Sequence, residues 1–207
     1  MICSYFLLGT NTFFAQTNFV NPFQSVKGDK EFLYGLDNRR THIQQQSTLI
    51  YGLYTGIGFG GSLRLKIGVS GTPFEVGRST DELGNVQRNR FYFLNIGEEF
   101  DFYIKNRFRV TAYLQGGFGY NDFRKVDDND VTISSGRATI IPLEFGMHAN
   151  YDVLTWLRAK AGGGWRVVLP NEVSYLSGYY IKLGFSMSTS KFIKSYKKWK
   201  SEREEEG

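Results

Sequence analysis

Apolar and polar residues alternate along most of the chain, and this alternation predicts strands. The stretch YGLYTGIGFGGSLRLKIGV, residues 51–69, carries apolar side chains at every second position on both sides of Gly60-Gly61, with Arg64 and Lys66 between them. A period of two directs alternate side chains to opposite faces of a strand. The stretch therefore predicts two strands, each with one apolar and one polar face, joined by a tight turn.

The same pattern recurs in eight segments of the chain. They span residues 31–41, 48–59, 62–70, 91–104, 108–120, 139–151, 157–169 and 179–187. In the fourth segment Glu98 falls among the apolar positions. That irregularity indicates either a bulge near Gly97 or an outer face that is not uniformly apolar.

The connections between these segments alternate in length. Those at 38–47, 72–88, 122–137 and 170–177 are long, and those at 60–61, 105–106 and 152–155 are short. All long loops then lie at one end and all short turns at the other, which is typical of transmembrane barrels. The sequence predicts an all-β fold: an eight-stranded antiparallel up-and-down transmembrane β-barrel over residues 31–188.

The polar face of the predicted strands carries charges of both signs. In a closed eight-stranded barrel one face of every strand points inward, into a space only wide enough for side chains. Buried charges need partners, so a network of ion pairs is predicted there, with a narrow basic pore as the alternative. The predicted interior residues are Arg64, Lys66, Glu99, Asp101, Arg109, Glu144, His148, Arg158, Lys160, Arg166 and Lys182.

Composition supports strands over helices. Aromatic residues make up 16% of the chain, and 24 glycines stand against 4 prolines. No apolar run downstream of the N-terminus reaches the length of about 18 residues that a transmembrane helix needs. A soluble up-and-down barrel of the lipocalin sort remains an alternative, in which the apolar face would line the interior and bind a ligand.

The N-terminal sequence MICSYFLLGTNTFFAQ has the apolar core of a secretory signal, with cleavage after Ala15. We predict a signal peptide over residues 1–15, lacking its basic start because the true start codon lies upstream, and a periplasmic segment over residues 16–30. A buried first strand or helix is the alternative. Cys3 is the chain's only cysteine, and it would leave with the signal peptide.

The C-terminal sequence KFIKSYKKWKSEREEEG predicts a basic amphipathic helix within a periplasmic tail, residues 189–207. Its apolar residues recur at helical spacing among lysines, and they are Phe192, Ile193, Tyr196 and Trp199. Such a helix is suited to lie on the surface of a membrane leaflet. A contact with a periplasmic partner and a disordered end are the alternatives.

The sequence offers little that would carry catalysis or bind a cofactor. The two histidines, His42 in the first long connection and His148 on a polar strand face, stand in no motif with a serine and an acid. Metal-ligand spacings and nucleotide fingerprints are absent from it. The net charge of +5 is modest and spread out, which argues against nucleic acid. We expect a non-enzymatic protein without cofactor or metal.

Three stretches resemble small outer-membrane β-barrel proteins of the Bacteroidota kind, whose architecture is like that of the eight-stranded outer-membrane protein A and X barrels. They are GLDNRRT (35–41), YGLYTGIGFGGSLRLKIGV and FYFLNIGEEFDFYIKNRFRVTAYLQGGFGYN (91–121). The resemblance covers about residues 28–190, and it implies the outer membrane of a diderm bacterium.

We therefore expect an integral outer-membrane barrel with a structural or accessory role. Its expected partners are outer-membrane lipid and lipopolysaccharide, and a periplasmic or outer-membrane protein complex. The alternatives are a narrow passive pore for small solutes and a soluble lipocalin-like barrel.

Overall fold

The computed structural model describes residues 28–43, 46–80, 85–127 and 129–205. The predicted signal peptide and nearly all of the predicted periplasmic segment lie outside these residues. Strands account for most of the described chain. They are β1 Lys30–Ile43, β2 Gln46–Phe59, β3 Leu63–Gly71, β4 Val76–Thr80, β5 Val86–Lys105, β6 Phe108–Val126, β7 Thr132–Asp152, β8 Leu157–Leu169 and β9 Gly178–Ser188.

The strands close into one antiparallel ring. Their order is β3-β2-β1-β9-β8-β7-β6-β5, and β3 pairs with β5 to complete it. The short β4 follows β3 and also pairs with β5, so that β3 and β4 together form one interrupted strand. The fold is an eight-stranded up-and-down barrel, as the alternation predicted.

The register fixes the tilt of the strands. Cross-strand partners followed from Thr41 on β1 lead once around the ring and return to β1 at Glu31, ten residues away. A ring with such an offset has strands inclined by about 40° to the barrel axis. Strands of this length and tilt make a tall, narrow cylinder.

The two ends of the barrel differ, and the short connections lie together at one of them. The turn after β2 uses Gly60 and Gly61 at φ values of 54° and 72°, and Asn106 at φ 55° lies in the turn between β5 and β6. Positive φ is cheap for glycine and tolerated by asparagine. We call this the turn end, and the opposite one the loop end.

The predicted long connections are mostly strand. β1 continues to Ile43 and β2 begins at Gln46, β6 runs to Val126, and β7 begins at Thr132. The prediction of long loops at 38–47, 72–88 and 122–137 was therefore wrong in extent. The outward side chains turn polar there, which hid the strands from a search for apolar alternation, but backbone pairing continues.

The irregularity at Glu98 has the second of its two predicted causes. The register is continuous from Gly97 to Asp101 and shifts between Asp101 and Tyr103, so a bulge near Gly97 was a wrong expectation. Glu98 points outward and is exposed. The outer face therefore carries one carboxylate between Leu65 and Leu114, its partners on the neighbouring strands.

The outer wall is apolar over most of its height. Side chains that are about half exposed recur at alternate positions on the strands of the ring, β4 apart; examples are Leu36, Leu53, Ile67, Leu94, Phe145, Ile181 and Leu183. Most inward positions of the same strands are buried. The predicted apolar faces are thus the outside of the barrel, and a lipocalin-like arrangement with an apolar interior does not fit.

Two helical segments complete the described chain. A 3-10 helix, Asn171–Leu176, lies between β8 and β9, and helix α1, Thr189–Glu205, follows β9. Among the described residues no helix has both the length and the apolar character to cross a membrane.

Candidate functional site

The candidate site is the interior of the barrel, where strand alternation directs charged side chains inward. The predicted interior residues are all buried there except Arg109, which is partly exposed. Lys182 and Glu99 have no exposed surface, and Arg166 is 1% exposed. Charges this deep must find partners within the barrel.

Glu99 is the centre of the cluster nearest the turn end. Its carboxylate pairs with Arg64 at 3.0 Å, with Lys160 at 3.1 Å and with Lys66. His148 Nε2 lies 3.7 Å from the same carboxylate. One anion is therefore shared by cations from two other strands, and it ties β5 to β3 and β8 across the interior.

A chain of ion pairs leads from this cluster to the rim. Arg64 also binds Asp101 in a bidentate arrangement, and Asp101 lies 3.4 Å from Arg109. Arg109 reaches Asp152 at 3.3 Å, and Asp152 accepts a hydrogen bond of 2.6 Å from Arg158. The pairs therefore continue to the turn end, where Arg109 and Asp152 are partly exposed.

A second cluster lies around Glu144. Arg166 Nε donates to Glu144 at 2.6 Å, and Arg39 lies 2.9 Å from the same carboxylate. Arg39 also contacts Asp37 at 3.1 Å, and Lys182 contacts Asp37 at 3.1 Å. This cluster joins β1, β7, β8 and β9.

Asp37 and Arg39 were missed by the sequence reasoning. They are the inward residues of β1, where both faces become polar because Asn38 and Arg40 point outward. The signal that could have found them is the alternation of Phe32, Tyr34 and Leu36, which assigns odd positions to the interior.

Inward tyrosines fill the space between the charges, and they too were missed. The Lys66 and Lys160 ammonium groups lie 4.5 and 5.0 Å from the centre of the Tyr54 ring. Lys182 lies 4.6 Å from the Tyr113 ring, whose hydroxyl donates to Tyr180 at 2.8 Å. Cation–π contacts of this kind strengthen where water is excluded.

Glycines make room for these tyrosines. A Cβ at Gly35 would overlap the Tyr54 hydroxyl, and one at Gly164 would overlap that of Tyr113. The inward glycines of β1 and β8 are thus opposite the largest neutral side chains of the interior. The close packing leaves the barrel filled by its own residues.

Positive charge exceeds negative charge among the buried residues that the structure describes. The buried cations are Arg39, Arg64, Lys66, Arg158, Lys160, Arg166 and Lys182. The buried carboxylates are Asp37, Glu99, Asp101 and Glu144. Each of these carboxylates contacts at least two cations, an arrangement that fixes side chains in place.

The interior changes character towards the loop end. Two residues of the 3-10 helix, Val173 and Leu176, pack into an apolar cluster with strand residues. The strand residues are Ile43, Ile50, Phe91, Phe93, Ile140 and Val168. This apolar plug, as we call these eight side chains, lies across the barrel above the charged clusters, and the sequence reasoning missed it.

Hydrogen bonds hold the 3-10 helix in the barrel mouth. The Tyr175 hydroxyl donates to Asn89 at 2.8 Å and accepts from Asn121 at 3.0 Å. Burial raises the pKa of this hydroxyl, which keeps it protonated and able to donate. The predicted long connection 170–177 is therefore a folded closure of the mouth.

Helix α1 is anchored to the turn end through its first two turns. Lys191 pairs with Glu31 at 2.8 Å, and the Phe192 ring meets Trp156 edge-on at 5.1 Å. The predicted tail residues Phe192, Ile193, Tyr196 and Trp199 remain 39–53% exposed. The helix therefore leaves the barrel with an apolar surface uncovered.

His42, which the sequence placed in a loop, lies on β1, and the centre of its ring is 5.9 Å from that of Tyr179.

The described part of the chain has no candidate metal-binding site. No group of three or more His, Cys, Asp or Glu side chains is placed to hold an ion there. His148 lies 5.3 Å from the Tyr113 ring and is 2% exposed. The barrel interior thus offers ion pairs and packing.

Comparison with known proteins supports the fold. No family model matches the chain, and no curated protein matches it. A major outer membrane protein from Thermus thermophilus is similar in structure, with a TM-score of 0.56 and 10% identity over 77% of this chain and 99% of that one.

Two further solved structures match with lower TM-scores. The N-terminal β-barrel domain of Pseudomonas aeruginosa OprF gives a TM-score of 0.49 with 13% identity, over 77% of this chain and 99% of its own. Ail, the attachment invasion locus protein of Yersinia pestis, gives 0.47 with 12% identity, over 78% and 97%. At such identities the likeness concerns the fold.

Proposed function

We propose that this chain is an integral outer-membrane protein of a diderm bacterium, non-enzymatic, with a structural or accessory role. The observation that carries the proposal is the orientation of its strands, with apolar side chains outside and ion pairs inside. A protein dissolved in water would favour the reverse arrangement.

The height of the apolar wall also supports the proposal. On β9 the outward apolar residues extend from Tyr179 to Met187, which at about 3.3 Å per residue and a tilt of about 40° gives a height of about 20 Å. The apolar band of outer-membrane barrels is about 25 Å tall.

The interior residues have a structural role in this proposal. Ion pairs that link β1, β3, β5, β7, β8 and β9 hold the cylinder closed, and the apolar plug seals its loop end. A passive pore would need an open path past both. The excess of positive charge would make such a path anion-selective, so planar-bilayer recordings of the purified barrel distinguish the roles. We expect no steady conductance, and anion-selective single-channel steps would favour the pore.

Fractionation of the source bacterium tests the location. We expect the protein in the dense membrane fraction that carries lipopolysaccharide, resistant to extraction by alkaline carbonate. Recovery in the soluble periplasmic fraction without detergent would contradict the proposal. Crosslinking and co-purification from those membranes would identify the periplasmic or outer-membrane complex that we propose as a partner.

The tail, in this proposal, lies on the periplasmic surface of the membrane. Basic residues surround the exposed side chains of Phe192, Tyr196 and Trp199, and anionic lipid attracts such a surface. The substitutions Trp156→Phe and Trp165→Phe would leave Trp199 as the fluorescent reporter. We expect brominated lipids to quench it, and its quenching to weaken when the anionic lipid is omitted. An unquenched, water-exposed Trp199 would favour a protein partner or a free end.

A further inference from the structure

The outer wall carries a groove in the half of the barrel towards the loop end. Its volume is about 660 Å³, and it crosses five strands, β9, β1, β2, β3 and β5. Apolar side chains line it, among them Leu53, Val69, Leu183 and Phe185. Gly71 presents no side chain between Tyr51 and Tyr92, its outward partners on the neighbouring strands, and the wall is recessed there.

A second groove adjoins the first. It measures about 390 Å³, shares Val69 and Tyr92 with the first groove, and extends past Leu94 to Phe118 and Tyr120. The two recesses lie side by side at one height of the wall, separated by the Tyr92 ring. That layout suits a ligand with more than one acyl chain.

Polar groups of β1 interrupt the apolar wall at the first groove. Asn38, which lines it, lies between Tyr51 and Leu183, its partners on the neighbouring strands. Arg40 is the next outward residue and lies between Leu49 and Ile181. A cation flanked on both sides by apolar residues needs an anion from outside the chain, or water.

Arg40 differs from three other outward arginines near the loop end. Arg88 pairs with Asp130 at 2.7 Å, Arg124 with Glu75 at 2.8 Å and Arg137 with Asp122 at 2.6 Å. Within the described chain Arg40 makes a hydrogen bond of 2.8 Å to the Ser47 hydroxyl and no ion pair. Its guanidinium is therefore available to an anion at the upper edge of the groove.

The height of Arg40 matches a lipid headgroup. It lies eight positions beyond Phe32 on β1, which at about 3.3 Å per residue and a tilt of about 40° places it about 20 Å above that residue. His42 and Tyr179, which contact each other, lie next above it. An apolar groove below and a cation above match the two parts of a phosphorylated lipid.

We propose that the two grooves bind one phosphorylated, multiply acylated glycolipid of the loop-side leaflet. Its acyl chains fill the recesses on either side of Tyr92, Asn38 bonds a polar group at the start of a chain, and Arg40 holds a phosphate. Guanidinium and phosphate form paired hydrogen bonds that favour this match over a neutral headgroup. The proposal rests on the membrane location proposed above.

Native mass spectrometry of the full barrel, folded in detergent and titrated with lipid A, tests it. We expect Arg40→Gln to weaken lipid A binding about tenfold, which corresponds to the loss of one charge-assisted hydrogen bond. Leu53→Trp should weaken binding by filling the groove without touching the phosphate site. The matched controls are Arg137→Gln, a paired outward arginine, and Leu114→Trp, on the outer wall outside both grooves, and neither should change binding.

Four results would overturn the proposal. Equal affinity of the wild type, Arg40→Gln and Leu53→Trp for lipid A would exclude the grooves as the binding site. A loss of affinity in Arg137→Gln equal to that in Arg40→Gln would assign binding to general surface charge. Binding of dephosphorylated lipid A with unchanged affinity would remove the role of Arg40. Failure of the wild-type protein to fold in detergent or enter membranes would refute the proposed function as well, whereas a folded barrel with unchanged lipid binding refutes the grooves alone.

Discussion

Glu98 and Glu99 are neighbours in the chain but occupy opposite surfaces of the barrel wall. Glu99 points inward and contacts three cations. Glu98 points outward, and its cross-strand neighbours are Leu65 and Leu114. The same side chain is thus part of the ion-pair network on one surface and, among the residues that the structure describes, a charge without an ion pair on the other. The polarity of this protein therefore differs by surface: charges are compensated inside the barrel, and apolar side chains cover the outside.

Glu99→Leu should give the largest effect. It leaves Arg64, Lys66 and Lys160 without their shared anion, and breaking a buried pair costs about 3–5 kcal/mol. Urea unfolding of the barrel in phospholipid vesicles, followed by tryptophan fluorescence, measures the change in the free energy of unfolding. The matched control is Glu98→Leu, one position away. An equal response of the two variants would refute the separation of the surfaces.

Leu176→Ala tests the apolar plug. Leu176 is 1% exposed, and truncation of a buried leucine lowers the free energy of unfolding by about 2–4 kcal/mol. Leu169→Ala is the control, since Leu169 lies on the outer wall and is 41% exposed; its loss should stay below about 1 kcal/mol. Equal losses in the same unfolding assay would mean that the 3-10 helix contributes no packing.

Glu98→Leu should stabilise the barrel in a membrane. A charge on the lipid-facing wall is costly at mid-depth and less so near the interfaces, and carboxylates cost less than basic groups. We expect a gain of about 1 kcal/mol in vesicles, measured by the same unfolding transition. A loss of stability instead would indicate that Glu98 has a partner on the outer surface.

Arg124→Gln should give the smallest effect. Its ion pair with Glu75 is as short as those inside, at 2.8 Å, but both side chains are more than one-third exposed. Exposed pairs contribute about 1 kcal/mol or less, and salt screens them. The unfolding free energy should therefore change little, and less still at high salt. A loss comparable to that of Glu99→Leu would contradict the role given to burial.

The sequence predicted the barrel because one physical constraint acts on nearly every residue of it. Alternation must persist wherever one face meets apolar surroundings and the other does not, and this identified the outward positions from Leu49 to Met187. The prediction of strands failed where that constraint ends. Above the apolar band the outward residues become polar, as at Arg124 and Arg137, so strands were taken for loops.

The candidate site was predicted in part for a related reason. Arg64, Glu99 and Lys160 stand between apolar residues and could be assigned to the interior. The ion-pair partner of each charge could not be predicted, because a pair such as Arg39 with Glu144 depends on the register around the whole ring. The apolar plug was invisible, since Phe91 and Phe93 occupy the face that is charged elsewhere on β5.

Heat-modifiable migration on a detergent gel tests the central claim, a closed barrel embedded in a membrane, most directly. The account predicts that protein extracted from the membrane fraction runs at a different apparent mass when unboiled than when boiled, because the closed strand ring resists detergent until heated. A single band at one position, whether or not the sample is heated, would contradict it.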